Sequence, residues 1–290
     1  MRLIQQSLER HVFYLAEDIG ERHSENPGAI QKTLDYIHAG FSEAGYVPKR
    51  EFFGKYPNQN LVVEIEGSRK PDEIIIVGAH YDSVWLSPGA DDNASGVAVL
   101  IEMARLLHKR NLERTVRFIA FGNEEYPFAD TPDMGSIVHA SSARNNNDNI
   151  VAMYSLEMLG FYSEKQGTQH YPAVIKWLYP DRADFIGFIV NLPSGRLLAE
   201  SLARFRCYTD FPVEGLWLSE QLLPDIRRSD HASFWDQGYP ALMVTDTSFY
   251  RNINYHTVGD TANTLNYAKM ARLVSGLSLM IIDLAGLSVN

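Results

Sequence analysis

The residues in this chain best suited to chemistry are histidines and carboxylates standing at the ends of apolar segments. His80 and Asp82 leave the β-branched run Ile74-Ile75-Ile76-Val77, within the stretch GAHYDSVWLSPGADDNASG at 78–96. Imidazole is a good zinc ligand, and its second nitrogen then needs an acceptor, which a carboxylate two residues on can supply. The pair reads equally as a surface His-Asp contact. Asp91, Asp92 and Asn93 follow, among the small residues Ala94, Ser95 and Gly96. A carboxylate shared by two cations needs an unusual backbone, which small neighbours permit. Taken alone, this segment is just as well a turn and a helix start whose acids complement the dipole. Glu124 and Glu125 come directly after an apolar strand. Adjacent residues leaving a strand point different ways, so one can bind metal while the other stays free as a general base. An isolated pair of this kind is usually two solvated glutamates. Glu157 ends another strand between Leu156 and Met158, where burial would demand a partner. Tyr255-His256 precedes the last helix, a place where a lone histidine is more often structural. Together, His, Asp, Glu, Glu and His at successive element ends suit a pair of three-ligand sites sharing one carboxylate, with a position open for water. Oxygen and nitrogen donors without cysteine favour zinc, with manganese or cobalt as substitutes.

The elements that must position these residues follow from periodicity. Leu3, Leu8, Val12, Leu15 and Ile19 recur at helical spacing, predicting an N-terminal amphipathic helix within 1–25 that ends near Gly20. Asn26-Pro27 starts a second helix, stopped by Gly45. Strands at 47–53 and 60–66 are predicted to form a hairpin across 54–59. A strand at 74–79, a helix at 97–108 and a strand at 115–121 follow. Next come a helix at 133–143, a strand at 150–156, an irregular stretch at 160–192 rich in Tyr, Pro and Gly, and a helix at 194–206. A strand at 241–245 and a helix at 267–284 close the chain. Strands alternating with helices imply an α/β fold with a largely parallel sheet. There is no repeat, low-complexity tract or linker, so 1–290 reads as one catalytic domain, with 160–192 lining its site.

Composition sets outer bounds. The 290 residues carry 45% apolar and 21% charged residues, and a formal net charge of −10 argues against nucleic acid or an anionic membrane as partner. Cys207 is the single cysteine, so no internal disulfide can form. The N-terminus, MRLIQQSLERHVFYLAED, lacks the apolar core of a signal peptide, and no apolar run approaches the ~18 residues of a membrane span. The expectation is a soluble protein, cytoplasmic as written, or exported with a leader absent from this sequence. A monomer is the default.

The segments GAHYDSV, GADDNASG, NEE, SLEMLGFY, SDHASFWDQGYPALMVTDT and NYHTVGDTANTLNY resemble, in order, those of the di-zinc exopeptidases. That family includes bacterial leucine aminopeptidases, glutamate carboxypeptidase II and the glutaminyl cyclases. The resemblance runs from about Asn26 to the last helix. It implies a three-layer α/β/α sandwich around a mixed, largely parallel eight-stranded sheet, and peptide substrates. It also implies that His80 and Glu157 bind one zinc, Glu125 and His256 the other, and that Asp92 bridges them. Asp82 would orient His80, Glu124 would be the general base, and Tyr255 would donate to the substrate carbonyl. The Asp92–Asn93 peptide matches a bond that is cis in several relatives. Asp91 would not ligate, and Asp230 and His231 would lie near the site without ligating. The remaining histidines (11, 23, 38, 108, 139 and 170) are expected on the surface or in the core.

One departure concerns metal count: Glu157 stands where many relatives carry Asp, and the family's cyclases work with a single zinc. The expected activity is release of N-terminal, apolar residues. The rivals are a glutaminyl cyclase, a carboxypeptidase using Arg182, Arg196 or Arg251 for the terminal carboxylate, and a catalytically silent metal-binding module. Cyclases tend to carry Trp where this chain has Tyr255, which favours hydrolysis. Aromatics of 160–192, with Trp235, Phe249 and Tyr250, suggest an apolar side-chain pocket or ordinary core.

Overall fold

The structure is a computed structural model that describes residues 1–54 and 58–287. Its centre is one eight-stranded sheet. The strands are β1 (Lys49–Phe52), β2 (Gln59–Ile65), β3 (Lys70–His80), β4 (Arg114–Phe121), β5 (Asn149–Glu157), β6 (Ile186–Val190), β7 (Val213–Trp217) and β8 (Ala241–Thr245). They lie in the order β1-β2-β4-β3-β5-β8-β6-β7. β4, β3, β5 and β8 run parallel, which brings their C-terminal ends to one edge. β1 and β2 pair antiparallel at one side, while β6 meets β8 antiparallel and runs parallel to β7 at the other.

Helices cover both faces. Along β3, Ile75, Val77 and Ala79 pack into one core while Ile74 and Ile76 pack into another, as the two-residue period of a strand requires. The first core is covered by α1 (Arg2–Phe13), α2 (Pro27–Glu43), α3 (Gly96–Leu107), α5 (Gly195–Tyr208) and α7 (Tyr267–Ala285). The second lies under α4 (Gly135–Asn146) and α6 (His231–Asp236). Local chemistry explains the helix starts: the side chains of Asn26 and Asn266 accept from the backbone N–H of Ala29 and Lys269, satisfying donors the helix leaves free. α1 continues through a π-helical turn at Tyr14–Ile19 and stops at Gly20.

This is the α/β/α sandwich that the resemblance implied, and the structure refines the element list. The stretch 160–192 is irregular only as far as β6, whose five residues include Gly187. β7 and the six-residue α6 went unread because each is short and flanked by Gly, Pro or Ser. The strands of the first hairpin pair from Lys49↔Val62 to Phe52↔Gln59; part of its turn, 55–57, lies outside the described residues. Among the described residues, no helix is long and apolar enough to cross a membrane.

Candidate metal centre and cleft

Five segments converge at the C-terminal edge of the parallel strands, where open α/β sheets hold ligands. His80 is the last residue of β3 and Glu157 the last of β5; Glu124 and Glu125 follow β4. Asp92 comes from a short π-helical turn, Ala90–Ser95, and His256 from the loop before α7.

Two groups of donors form. Nε2 of His80 lies 3.3 Å from Asp92 Oδ1 and 3.3 Å from Glu157 Oε2. Nε2 of His256 lies 3.0 Å from Asp92 Oδ2 and 3.5 Å from Glu125 Oε1. Asp92 thus offers one oxygen to each group. Donors placed ~2.0–2.1 Å from a tetrahedral ion sit roughly 3.3 Å from one another, so the observed spacings are those of a ligand shell. Both ring nitrogens of His80, Asp92 Oδ1 and Glu125 Oε1 are buried without hydrogen-bond partners. Orphaned polar atoms are costly unless something else satisfies them. Two cations held by oxygen and nitrogen donors fit.

The surrounding residues explain why these side chains sit where they do. Oδ1 of Asp82 is 3.5 Å from His80 Nδ1 and accepts from the Glu124 N–H, while Oδ2 accepts from the Glu125 N–H. One carboxylate therefore aligns the imidazole and the glutamate pair. The hydroxyl of Ser229 donates to Glu157 Oε2 at 2.8 Å. The Asp92–Asn93 peptide is cis, and the Asn93 side chain accepts from the N–H of Gly96 and Met158 while donating to Leu156 O. The carboxylate of Asp260 accepts the N–H groups of both Asp91 and Asp92. Asp91 points away from the donor groups, accepting from Gly160 N and Asn252 Nδ2.

Arg22 supports the whole loop from behind. It is fully buried, and its guanidinium donates to the carbonyls of Leu15, Gly20, Tyr81, Pro88 and Gly89. It ties the end of the N-terminal helix to the strand exit and to the turn carrying Asp92. Gly89 is obligatory there: its φ is +61°, and a Cβ would meet Asp92 O at 2.4 Å and the Arg22 guanidinium at 2.8 Å. Sequence reading missed Arg22, Ser229 and Asp260. Asp260 falls within a quoted family segment, whereas nothing about Arg22 in the sequence marks its contacts.

The electrostatics are those of crowded acids. Burial raises the pKa of Glu124 well above its usual value, with Glu125 and Glu157 adding to the effect. Burial and the charge of Asp92 lift Glu125 to about 7. For Asp92, burial opposes ionisation, but the adjacent imidazoles of His256 and His80 outweigh it and the pKa falls. His256 reaches about 10 because the Asp92 and Glu125 contacts outweigh its partial burial. Burial, then the surrounding acids, keep the phenol of Tyr255 protonated; its ring stacks on His256 at 3.7 Å. Asp230 is buried beside this group, pushed up to about 7 first by burial. His231 faces away and donates through Nε2 to Ile226 O. His11, His108 and His139 make contacts elsewhere in the fold, with Tyr36, Tyr46 and Glu51.

A cleft of about 910 Å³, open to solvent, rises from Asp92, Glu124, Glu125 and Glu157. Tyr171, Ile175, Tyr179, Leu223, Phe249 and Tyr250 contribute its apolar wall. Phe249 and Tyr250 are where the sequence expected a pocket, but Trp235 is core, its indole donating to Ala241 O. None of the three arginines considered for a terminal carboxylate lines the cleft. Arg251 is buried against Gln169 and Phe185 O, and Arg196 pairs with Glu200 at the surface. The arginine that does line it is Arg228.

The model of Peptidase family M28 matches residues 60–179 and 219–280, and the chain belongs to that family. It is 37% identical to the uncharacterised protein YfbL of Escherichia coli over 95% of this chain and 87% of that protein. It is 27% identical to a probable aminopeptidase, YDR415C, of Saccharomyces cerevisiae, over 81% of this chain but only 59% of the yeast protein. The fold matches the LapA aminopeptidase of Legionella pneumophila with a TM-score of 0.76, at 20% identity, over 99% of this chain and 76% of that one. It also matches a glutaminyl cyclase of Porphyromonas gingivalis with a TM-score of 0.72, at 16% identity, over 97% and 98%. The fold therefore does not separate the two activities; the chain's own site must.

Proposed function

We propose that this chain is a zinc-dependent aminopeptidase that releases N-terminal residues from peptides. The observation that carries the reading is the pair of donor groups, His80/Asp92/Glu157 and Asp92/Glu125/His256, at the foot of an apolar cleft with Glu124 beside them. These five residues would hold two zinc ions. Bound zinc would acidify a water and polarise the scissile carbonyl.

The chain's own groups then do the following. The carboxylate of Glu124, 3.8 Å from His80 Nε2, accepts the proton of the attacking water. The environment that raises its pKa suits it to carry that proton on to the leaving amine. Asp82 keeps His80 and the glutamate pair in register. The Tyr255 hydroxyl donates to the carbonyl oxygen, and this bond strengthens as negative charge develops there. The apolar wall receives the N-terminal side chain. Tyr255, in the place where cyclases tend to carry Trp, favours hydrolysis over cyclisation, and the absence of the three candidate arginines from the cleft weighs against a carboxypeptidase.

The test is a panel of N-terminally free and blocked dipeptide amides, plus a glutaminyl peptide, offered to zinc-loaded protein whose metal content is counted. Release of the first residue only when the amine is free, at about two zinc per chain, is expected. Ring closure of the glutaminyl peptide, or turnover of blocked peptides from the free carboxyl end, would overturn the reading.

A further inference from the structure

The ligand Glu157 belongs to a row of side chains that crosses the sheet towards its far edge. Glu157 of β5 pairs with Thr245 of β8, Thr245 with Gly187 of β6, and Gly187 with Glu214 of β7. Paired residues point to the same face, and core membership agrees. Leu156, Val244, Phe188 and Val213, each next to a member of the row, pack on the α3/α5/α7 face. A Cβ at Gly215 would likewise strike Leu202 of α5. Glu214 therefore faces the cleft, and all four residues of the row line it.

Two residues further along the strands, Met243, Ile189 and Leu216 form a parallel apolar row, and Tyr171, Ile175 and Tyr179 add apolar wall. Gly187 adds no side chain between Thr245 and Glu214, so the floor stays open. Glu214 is three strand spacings from Glu157, ~14 Å along the sheet. The cleft is thus acidic at the zinc end, apolar in the middle and acidic again at its far end.

The charges on that wall are not equivalent. Asp225 accepts from Arg228 Nε at 3.0 Å and from the Tyr250 hydroxyl at 2.7 Å, and the Arg228 guanidinium lies 5.3 Å from the Phe249 ring centre. That acid and base satisfy each other. The carboxylate of Glu214 has no hydrogen bond or ion pair among the described residues. Burial raises its pKa, and the cation that opposes this, Arg206, belongs to α5 across the sheet. A half-buried carboxylate without a partner at the end of an apolar channel is complementary to a cation on an aliphatic stem.

The geometry points to Glu214 as a specificity-determining residue that selects peptides beginning with a basic residue, lysine or arginine, whose methylenes lie along Ile189 and Leu216. This deepens the aminopeptidase reading and rests on it, replacing a general apolar preference with a long stem and a positive tip.

The experiment compares zinc-loaded wild type, Glu214→Gln and the charge-retaining Glu214→Asp on lysyl- and norleucyl-p-nitroanilide, which share the stem and differ in the ammonium. The wild-type ratio of kcat/KM, lysyl over norleucyl, should be about tenfold or more. It should fall by a similar factor in Glu214→Gln and be largely kept in Glu214→Asp. A ratio near one in wild type, or one unaffected by Glu214→Gln, overturns the proposal while leaving the aminopeptidase reading intact. If wild type cleaves neither substrate, the aminopeptidase reading fails, and the pocket is judged by calorimetry with L-lysinamide and L-norleucinamide. Preference for lysinamide that disappears in Glu214→Gln sustains the pocket; equal binding of the two overturns it.

Discussion

The two faces of the central sheet are built from alternate residues of the same strands, yet they are different materials. On the face under α3, α5 and α7, the strands present Val77, Tyr154, Phe188, Val213 and Val244, all buried in one continuous core. On the other face the same strands present His80, Glu157, Thr245, Gly187 and Glu214. There α4 and α6 cover only part of the sheet, and the cleft occupies what they leave. A strand cannot put a ligand on one face without putting its neighbours on the other. The apolar face therefore holds the strand ends still, and the open face can carry buried acids that would be untenable without partners.

The comparison can be broken in several ways, the strongest being a change at the open face that touches chemistry alone. Glu124→Gln should lower turnover by about 10²–10⁴-fold while zinc content and melting temperature stay at wild-type values. A near-normal rate would remove Glu124 from the mechanism. The mirror experiment is on the closed face. Phe188 is fully buried, with its ring edge-on to Phe205 at 5.2 Å, and Phe188→Ala should cost about 3–5 kcal/mol of stability. Turnover per folded molecule should change little; a large loss would mean that the two faces are not separable.

Acid should act through the open face. Burial holds His231 down at about 4, against 6.5 when exposed. Its neutral form is favoured in the folded state, so stability is complete above pH 6.5 and is lost as pH falls towards 4, by about 3 kcal/mol. Chemical denaturation between those limits measures the slope, which should be shallower in His231→Gln; an unaltered slope would assign it to other groups. A smaller effect is expected at Ser229. Removing the hydroxyl that holds Glu157 should weaken zinc binding by about 10–100-fold, read by competition with a chelator. Unchanged affinity would mean that Glu157 is oriented by other contacts.

Much of this site could be read before folding. A β-branched run ending in Gly-Ala-His, or an apolar strand ending in Asn-Glu-Glu, places its polar residue at a strand exit whatever the rest of the chain does. His80, Glu124, Glu125 and Glu157 were legible for that reason. The family segments added the pairing of roles. β6 and β7 were not legible: IGFIV and VEGLW are five residues each, both broken by glycine and one carrying a charge, and their alternation becomes visible only once β6 pairs with β8 and β7 with β6. Arg22 was opaque because its partners are backbone carbonyls, which every residue has. Trp235 and Arg251 were plausible by type but are committed elsewhere by packing, and Arg196 is paired with Glu200 at the surface.

The sequence by itself determined which residues stand at the ends of strands, because local apolar periodicity and turn residues set where a strand stops. Only the tertiary structure decided that Asp92 reaches both histidines, that Arg22 and Asp260 hold the loop carrying it, and that Glu214 lies in line with Glu157. Those relations depend on strand order and register, which arise from contacts between residues far apart in the chain and leave no periodic trace along it.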